Sequence, residues 1–300
     1  MIITNEISNG LKSVTKIIIF FKQKLFTFAI ANNNNNIMKI TIIGSGNIGS
    51  ALVAGLLREG SITPGDICLT DISENVLSPF AAKGVRTTQS NVDAVKNADV
   101  VVLCVKPYLV RDVIEEIAPS LSDGSLLVSL AAGITLDQLT LFAGKRPLFR
   151  VIPNTAMAVC QSMTCIAASD NTGAIQRDTM IEIFSRVGKA IMIDESLMNA
   201  ATVIASCGTA FALRYLRAAM TAGVETGFRP SVAEAIIAQT MLGAAVLVSE
   251  SGNHPEAEID RVTTPKGITI KGLNEMEHAG FSSAVIRGIC VAYETLNQKQ

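Results

Sequence analysis

Residues Lys39–Leu57 read KITIIGSGNIGSALVAGLL. A β-branched run meets three glycines, and a helical pattern of small and apolar residues follows at once. Each glycine has a physical job. Gly44 permits a tight turn at the strand's end. Gly46 lacks a Cβ, so backbone can approach a pyrophosphate, and Gly49 lets the new helix pack closely. The first N–H groups of that helix face any phosphate held there. G-x-G-x-x-G alone is a weak signal. Between a strand and a helix, with an acidic residue ending the second strand, it points to a dinucleotide. A kinase-type phosphate loop is excluded, because no G-K-[ST] follows.

Downstream, ICLTD (Ile67–Asp71) predicts a second strand and a helical stretch runs on to Lys83. DVVVLCV (Asp99–Val105) is nearly all apolar, as expected of a strand buried on both faces of a parallel sheet. SLLVSL, LFRVIP, MTCIAAS and AIMID repeat the theme. Helices are predicted over 108–118, 136–143 and 174–187. Strands alternating with helices imply crossover units. The expected fold class is α/β, a Rossmann-type doubly wound parallel sheet followed by an all-α dimerisation domain. Ligands in such sheets bind at the carboxyl ends of strands. Lys106, in the VKP that ends a strand, is placed to meet cofactor phosphate or ribose; the alternative is a solvated charge. Asp71, 27 positions after Gly44, is placed to accept from the adenosine ribose hydroxyls and to repel the extra phosphate of NADPH. Its local charge favours NADH, and its alternative role is to cap the next helix.

The chain has 300 residues, a formal net charge of −1 and 49% hydrophobic residues. That length suits about two domains. No basic excess points to nucleic acid. Six scattered cysteines without a C-x-x-C pair read as reduced, buried thiols of a cytoplasmic protein. His254 and His278 lack metal-ligand spacing, so no metal is expected. Residues 1–37 read differently: a short apolar core cut by Lys22 and Lys24, then five asparagines. They are expected to be a disordered leader, with the functional protein starting at Met38. The dinucleotide-binding domain is expected over 38–195 and the helical domain over 196–300.

From Leu197 the pattern is purely helical. Leu197–Gly227 is long and rich in small residues. A further helix begins at RPSVAEA, where Pro230 suits the start and Ser231 is a candidate cap. That helix looks too short, and too interrupted by Glu234 and Gln239, to span a membrane, so no membrane partner is expected. A helix apolar on nearly all sides must be buried on all sides, which predicts a dimer core. VTTPKGITIKG then places Thr263, Thr264, Pro265, Lys266 and Gly267 in a loop entering a helix near Ile268. Such a helix start can hold a carboxylate, and Thr264 and Thr269 add hydroxyls; a plain capped turn is the alternative.

A dinucleotide fold followed by helices suggests hydride transfer. Alcohol oxidation calls for a general base facing the nicotinamide. Leu197–Gly227 contains no Lys, His or Asp. A protonated imine needs only orientation and a hydrogen-bonding group near its nitrogen.

Several stretches fit one family together: HPEAEIDRVTTPKGITIKGLNEMEHAGF (His254–Phe281), QTMLGAA (Gln239–Ala245), CVKP (Cys104–Pro107) and RVIPNTA (Arg150–Ala156). From Met38 to near Thr295 the chain resembles the pyrroline-5-carboxylate reductases. The resemblance implies NADPH- or NADH-dependent reduction of 1-pyrroline-5-carboxylate to L-proline, and an intertwined homodimer that often builds a larger ring. By position it implies that Ile43, Gly44, Ser45, Gly46, Asn47, Ile48 and Gly49 line the cofactor. Cys104, Val105, Lys106 and Pro107 would join them, with Asn91 also touching it and Pro153, Asn154 and Thr155 flanking the nicotinamide. Lys266, Gly267, Ile268 and Thr269 would hold the substrate carboxylate through backbone amides, and the Thr269 hydroxyl would reach the ring nitrogen. Departures from the family pattern fall in ASCGTAF (Ala205–Phe211) and at Arg217, Thr221, Lys266 and Ala156. Family members often carry Ser or Asn at Asp71 and favour NADPH. Two alternatives stand beside this reading: a related cyclic imino acid reductase, or a non-catalytic nucleotide-binding paralogue.

Overall fold

The computed structural model describes residues 38–298; the expectation for the leader lies outside them. Strand β1 (Ile40–Ile43), helix α1 (Asn47–Glu59) and strand β2 (Ile67–Thr70) form the expected first crossover unit. Helix α2 (Glu74–Ala81), strand β3 (Arg86–Thr88), helix α3 (Asn91–Val95) and strand β4 (Val100–Leu103) follow. Then come α4 (Val110–Ile117), β5 (Leu126–Ser129), α5 (Leu136–Ala143) and β6 (Leu148–Ile152). Strand β7 (Ser162–Ala168), helix α6 (Ala174–Ser185) and strand β8 (Gly188–Met192) complete one sheet in the order β3-β2-β1-β4-β5-β6-β7-β8. Every neighbouring pair is parallel except β6 with β7.

Strands β1, β2, β4, β5 and β6 are buried along their whole length, which explains why they are mostly apolar rather than alternating. Val101, Leu103, Leu127 and Leu148 pack with Val110, Ile114, Ile117 and Leu139 from α4 and α5 in one apolar cluster. Strand β3 was not foreseen. Its RTT is short, polar and partly exposed at the sheet edge, so it carries no apolar signal.

From Glu195 onward the described chain is helical. Helix α7 (Met198–Ala201) runs into a π-helical segment, Thr202–Cys207, and then α8 (Gly208–Glu225). Helices α9 (Pro230–Ser251), α10 (Pro255–Arg261), α11 (Ile268–His278) and α12 (Phe281–Asn297) follow. Arg229 is the N-cap of α9, with Pro230 in its first turn and no side chain capping it. Ser231 therefore lies inside the helix, a correction to its reading as a cap. The length argument against membrane spanning also fails. Glu195–Glu225 and Pro230–Ser251 are each long and apolar enough to cross a membrane by length and composition. Ala233 is the one buried residue of α9, while Ile236, Leu242 and Leu247 stand about half exposed. One tie between the halves is Arg150 on β6, 2% exposed. Its Nη2 donates to Asn199 Oδ1 at 2.9 Å and its Nη1 lies 3.5 Å from Glu195 Oε1. Burial pulls the guanidinium pKa down, and the Glu195 charge opposes that shift.

Candidate functional site

At the carboxyl end of β1 the chain turns at Gly44, whose φ is +99°. A Cβ there would lie 2.9 Å from the Cys104 carbonyl oxygen, so only glycine fits between β1 and the end of β4. The Gly44 amide donates to Thr70 O at 2.9 Å, which ties the turn to β2 as well. A Cβ on Gly49 would come within 1.9 Å of the Gly44 carbonyl oxygen. The closeness Gly49 permits is thus between helix and glycine loop. Gly46 faces open space and is the N-cap of α1, with no side chain capping the helix. The first-turn amides are left for an anion, and the glycine has nothing to clash with it. These features fit the pyrophosphate of a dinucleotide.

Beside this cradle, Asp71 Oδ2 accepts from the Ser45 amide at 2.9 Å and from its hydroxyl at 3.2 Å. Asp71 Oδ1 accepts from the Ser73 amide at 3.1 Å, but Ser73 itself is the N-cap of α2 and no side chain caps that helix, a correction to the reading of Asp71 as a cap. Asp71 fastens the glycine loop and shapes the entry to α2, while remaining partly exposed. Ile72, which the sequence did not single out, is 93% exposed next to it. Asn91 Oδ1 accepts from the Thr70 hydroxyl at 2.7 Å, and its Nδ2 donates to Glu116 at 2.9 Å. Asn91 opens α3 at the same sheet end.

Cys104 and Val105 are half-buried after β4, and Lys106 and Pro107 are exposed. Burial pushes the Cys104 thiol up to about 12. Cys68 and Cys165 are the buried cysteines and Cys290 is exposed, so the expectation of uniformly buried thiols needs correcting; all six are free. Beyond β6, Pro153, Asn154 and Thr155 lie at the sheet end shared by Gly44 and Lys106, since β1, β4, β5 and β6 run parallel. The Asn154 side chain is engaged within the protein: Nδ2 donates to Ala205 O at 2.9 Å and Oδ1 accepts from the Ala156 amide at 3.0 Å.

The second group of candidates forms a loop of its own. Gly267 is the N-cap of α11, again with no side chain capping it. Its amide donates to Thr264 O at 2.9 Å. A Cβ on Gly267 would sit 2.4 Å from the Thr264 hydroxyl, so a side chain there opens the turn. Lys266 holds φ +62°, a left-handed conformation natural to glycine. Thr269 is half-buried in the first helical turn. The amides of Val262, Thr263 and Gly267 and the Thr263 hydroxyl all bond to carbonyls within 259–264. The fold of one chain thus assembles the dinucleotide cradle and, separately, the Thr264–Thr269 loop. Among the described residues no group of three or more His, Cys, Asp or Glu side chains could hold a metal ion.

Residues 195–299 match the model of the pyrroline-5-carboxylate reductase dimerisation domain, and residues 39–133 match that of the NADP oxidoreductase, coenzyme F420-dependent, family. The chain is 36% identical over 287 residues to pyrroline-5-carboxylate reductase 2 of Dictyostelium discoideum, covering 90% of this chain and 96% of that protein. It is 38% identical over 262 residues to pyrroline-5-carboxylate reductase 1 of the same organism, covering 83% of this chain but 48% of that protein. Among solved structures, the pyrroline carboxylate reductase of Plasmodium falciparum with NADP bound superposes with a TM-score of 0.80 at 26% identity. That match covers 88% of this chain and 98% of that one.

Proposed function

The chain belongs to the pyrroline-5-carboxylate reductase family, and from that premise we propose that it reduces 1-pyrroline-5-carboxylate to L-proline with NADPH or NADH. The observation that carries the reaction type is the pairing of a dinucleotide cradle with an inter-domain helix, 198–225, that has no Lys, His or Asp to act as base toward an alcohol.

A reduced nicotinamide held in this cradle would supply the hydride for the imine carbon. The chain's residues bind and orient. Gly44, Gly46 and the opening amides of α1 hold the pyrophosphate. Asp71 meets the adenosine ribose, and Lys106 lies at the carboxyl end of β4 for phosphate or ribose. The uncapped start of α11, with the Lys266 and Ile268 amides, would receive the substrate carboxylate; the Gly267 amide, expected to join them, is already bonded to Thr264 O. The Thr269 hydroxyl, without a hydrogen-bond partner among the described residues, would be free to bond the ring nitrogen. Reduction consumes one hydride and one proton, and the nitrogen finishes as a secondary amine.

The dimerisation domain implies a homodimer. Its exposed apolar faces on α8, α9 and α12 give that dimer a surface to bury. A partner's Thr264–Thr269 loop would complete the site that one chain leaves in two parts. A ring of such dimers, in the cytoplasm, without nucleic acid or membrane, completes the reading. The free thiols suit that reducing compartment. The deciding assay follows loss of NADPH or NADH absorbance with 1-pyrroline-5-carboxylate, with proline identified as product. No turnover with either cofactor would favour a nucleotide-binding paralogue.

A further inference from the structure

Asn154 is 8% exposed and held on three sides. Its amide N–H donates to the Ser162 hydroxyl at 3.1 Å, its Oδ1 accepts from Ala156, and its Nδ2 donates 2.9 Å to Ala205 O. Ala205 lies inside the π-helical segment Thr202–Cys207, the one break in the helical run Met198–Glu225. A π turn carries one residue more than an α turn, so it re-phases the helix beyond it by roughly 100°. Its geometry therefore decides which side chains of α8 face the end of the sheet. Thr202 helps by bonding back to Met198 O at 2.8 Å.

We propose that Asn154 is a positioning residue for hydride transfer: its side-chain amide, on the Ala205 carbonyl, locks the π segment against the end of β6. This rests on the reading of that sheet end as the nicotinamide site. Asn154 then acts through Ala205 and fixes the helix that walls the substrate space. A misplacement of about 1 Å there costs rate without loosening the cofactor's grip on the glycine loop.

Asn154→Asp tests it. The carboxylate keeps the acceptor for Ala156 and loses the donor for Ala205. At pH 8 we expect kcat to fall ~10–100-fold while the NADPH dissociation constant, from fluorescence without substrate, stays within about twofold. Burial beside a carbonyl raises the pKa of the introduced carboxyl. Once protonated it donates again, so the variant-to-wild-type ratio of kcat should climb as pH falls. Backbone hydrogen exchange across Thr202–Cys207 should quicken in the variant at pH 8, a readout independent of turnover. Asn154→Ser, which can cap Ala156 but is too short to reach Ala205, should lose kcat alike and serves if the first variant does not fold. An unchanged kcat, a pH-independent ratio, unaltered exchange, or a loss lying wholly in NADPH affinity would each overturn the inference. A wild type that fails to turn over would instead sink the activity reading, while the exchange measurement still tests the lock.

Discussion

Asp71 Oδ2 holds both the amide and the hydroxyl of Ser45, at 2.9 and 3.2 Å, and so joins the end of β2 to the glycine loop. On the proposed placing of the adenosine ribose beside the end of β2, that carboxylate would repel the extra phosphate of NADPH, and repulsion is strong in a partly dry site. The wild type is expected to prefer NADH. Asp71→Ser should shift kcat/KM toward NADPH and also loosen the loop. Measuring kcat/KM with each cofactor for both proteins decides it. A wild type preferring NADPH, or an unmoved ratio, would leave Asp71 only its fastening role.

Thr269→Val keeps the shape of the first turn of α11 and removes the hydroxyl. A loss of roughly 10–1000-fold in kcat/KM is expected, about 1.4–4 kcal/mol, as for one positioned donor. Thermal unfolding should barely change, since that hydroxyl has no partner within the described chain. Equal rates would move the imine contact elsewhere.

Lys266 and Gly267 should respond oppositely to substitution. Lys266→Gly relieves a left-handed φ of +62°. That strain is about 1–2 kcal/mol, offset by roughly 0.5–1 kcal/mol of chain entropy. A small rise in Tm is expected, with kcat/KM within about threefold of wild type. Gly267→Ala drives a Cβ to 2.4 Å from the Thr264 hydroxyl, so the loop must open. Its kcat/KM should drop by at least ~10-fold, because a displaced carboxylate site misaligns the ring. Parallel kinetics and melting curves on the two variants check both halves.

Ala244 is exposed on α9 in the single chain, within an apolar surface that includes Leu242, Val246 and Leu247. Ala244→Asp should disrupt the dimer and yield monomer, aggregate or unfolded chain, because the interface would bury an unpaired charge at a cost of roughly 3–5 kcal/mol. Sedimentation velocity at micromolar concentration reads the outcome. A variant sedimenting as the wild type does would place this stretch outside the interface.

Cys104 should be a poor nucleophile. With its thiol pushed up to about 12 from an ordinary 9.0, its thiolate population near pH 8 is lower by roughly a thousandfold. Alkylation followed by mass spectrometry should find it labelled far more slowly than a free thiol. The sign of the linkage also follows. A raised folded-state pKa contributes its stability fully below the unfolded value near ~8.5–9, and loses it as pH rises toward 12. Urea midpoints at pH 8 and 10.5 should therefore converge less for the wild type than for Cys104→Ala, and equal pH responses would contradict the shift.

The alternation of elements, the glycine turn and the helical second half are legible in the order of amino acids. Those features rest on local chemistry: a positive φ that Gly44 tolerates, β-branched runs buried on both faces, a capped start such as Thr135 with Gln138. Helix 136–143 was legible to the residue for that reason. Strand β3 was not, because an exposed edge strand of polar residues leaves no periodic signal. Nor was the π segment, since Thr202–Cys207 has an ordinary helical composition and its extra residue per turn is set by what it packs against. That Asp71 fastens Ser45, that Asn154 turns its amide to Ala205 and that Arg150 reaches Asn199 follows from the folded arrangement alone. These bonds join residues 26 to 51 positions apart, and a hydrogen bond depends on distance and direction in space, which no window of sequence contains.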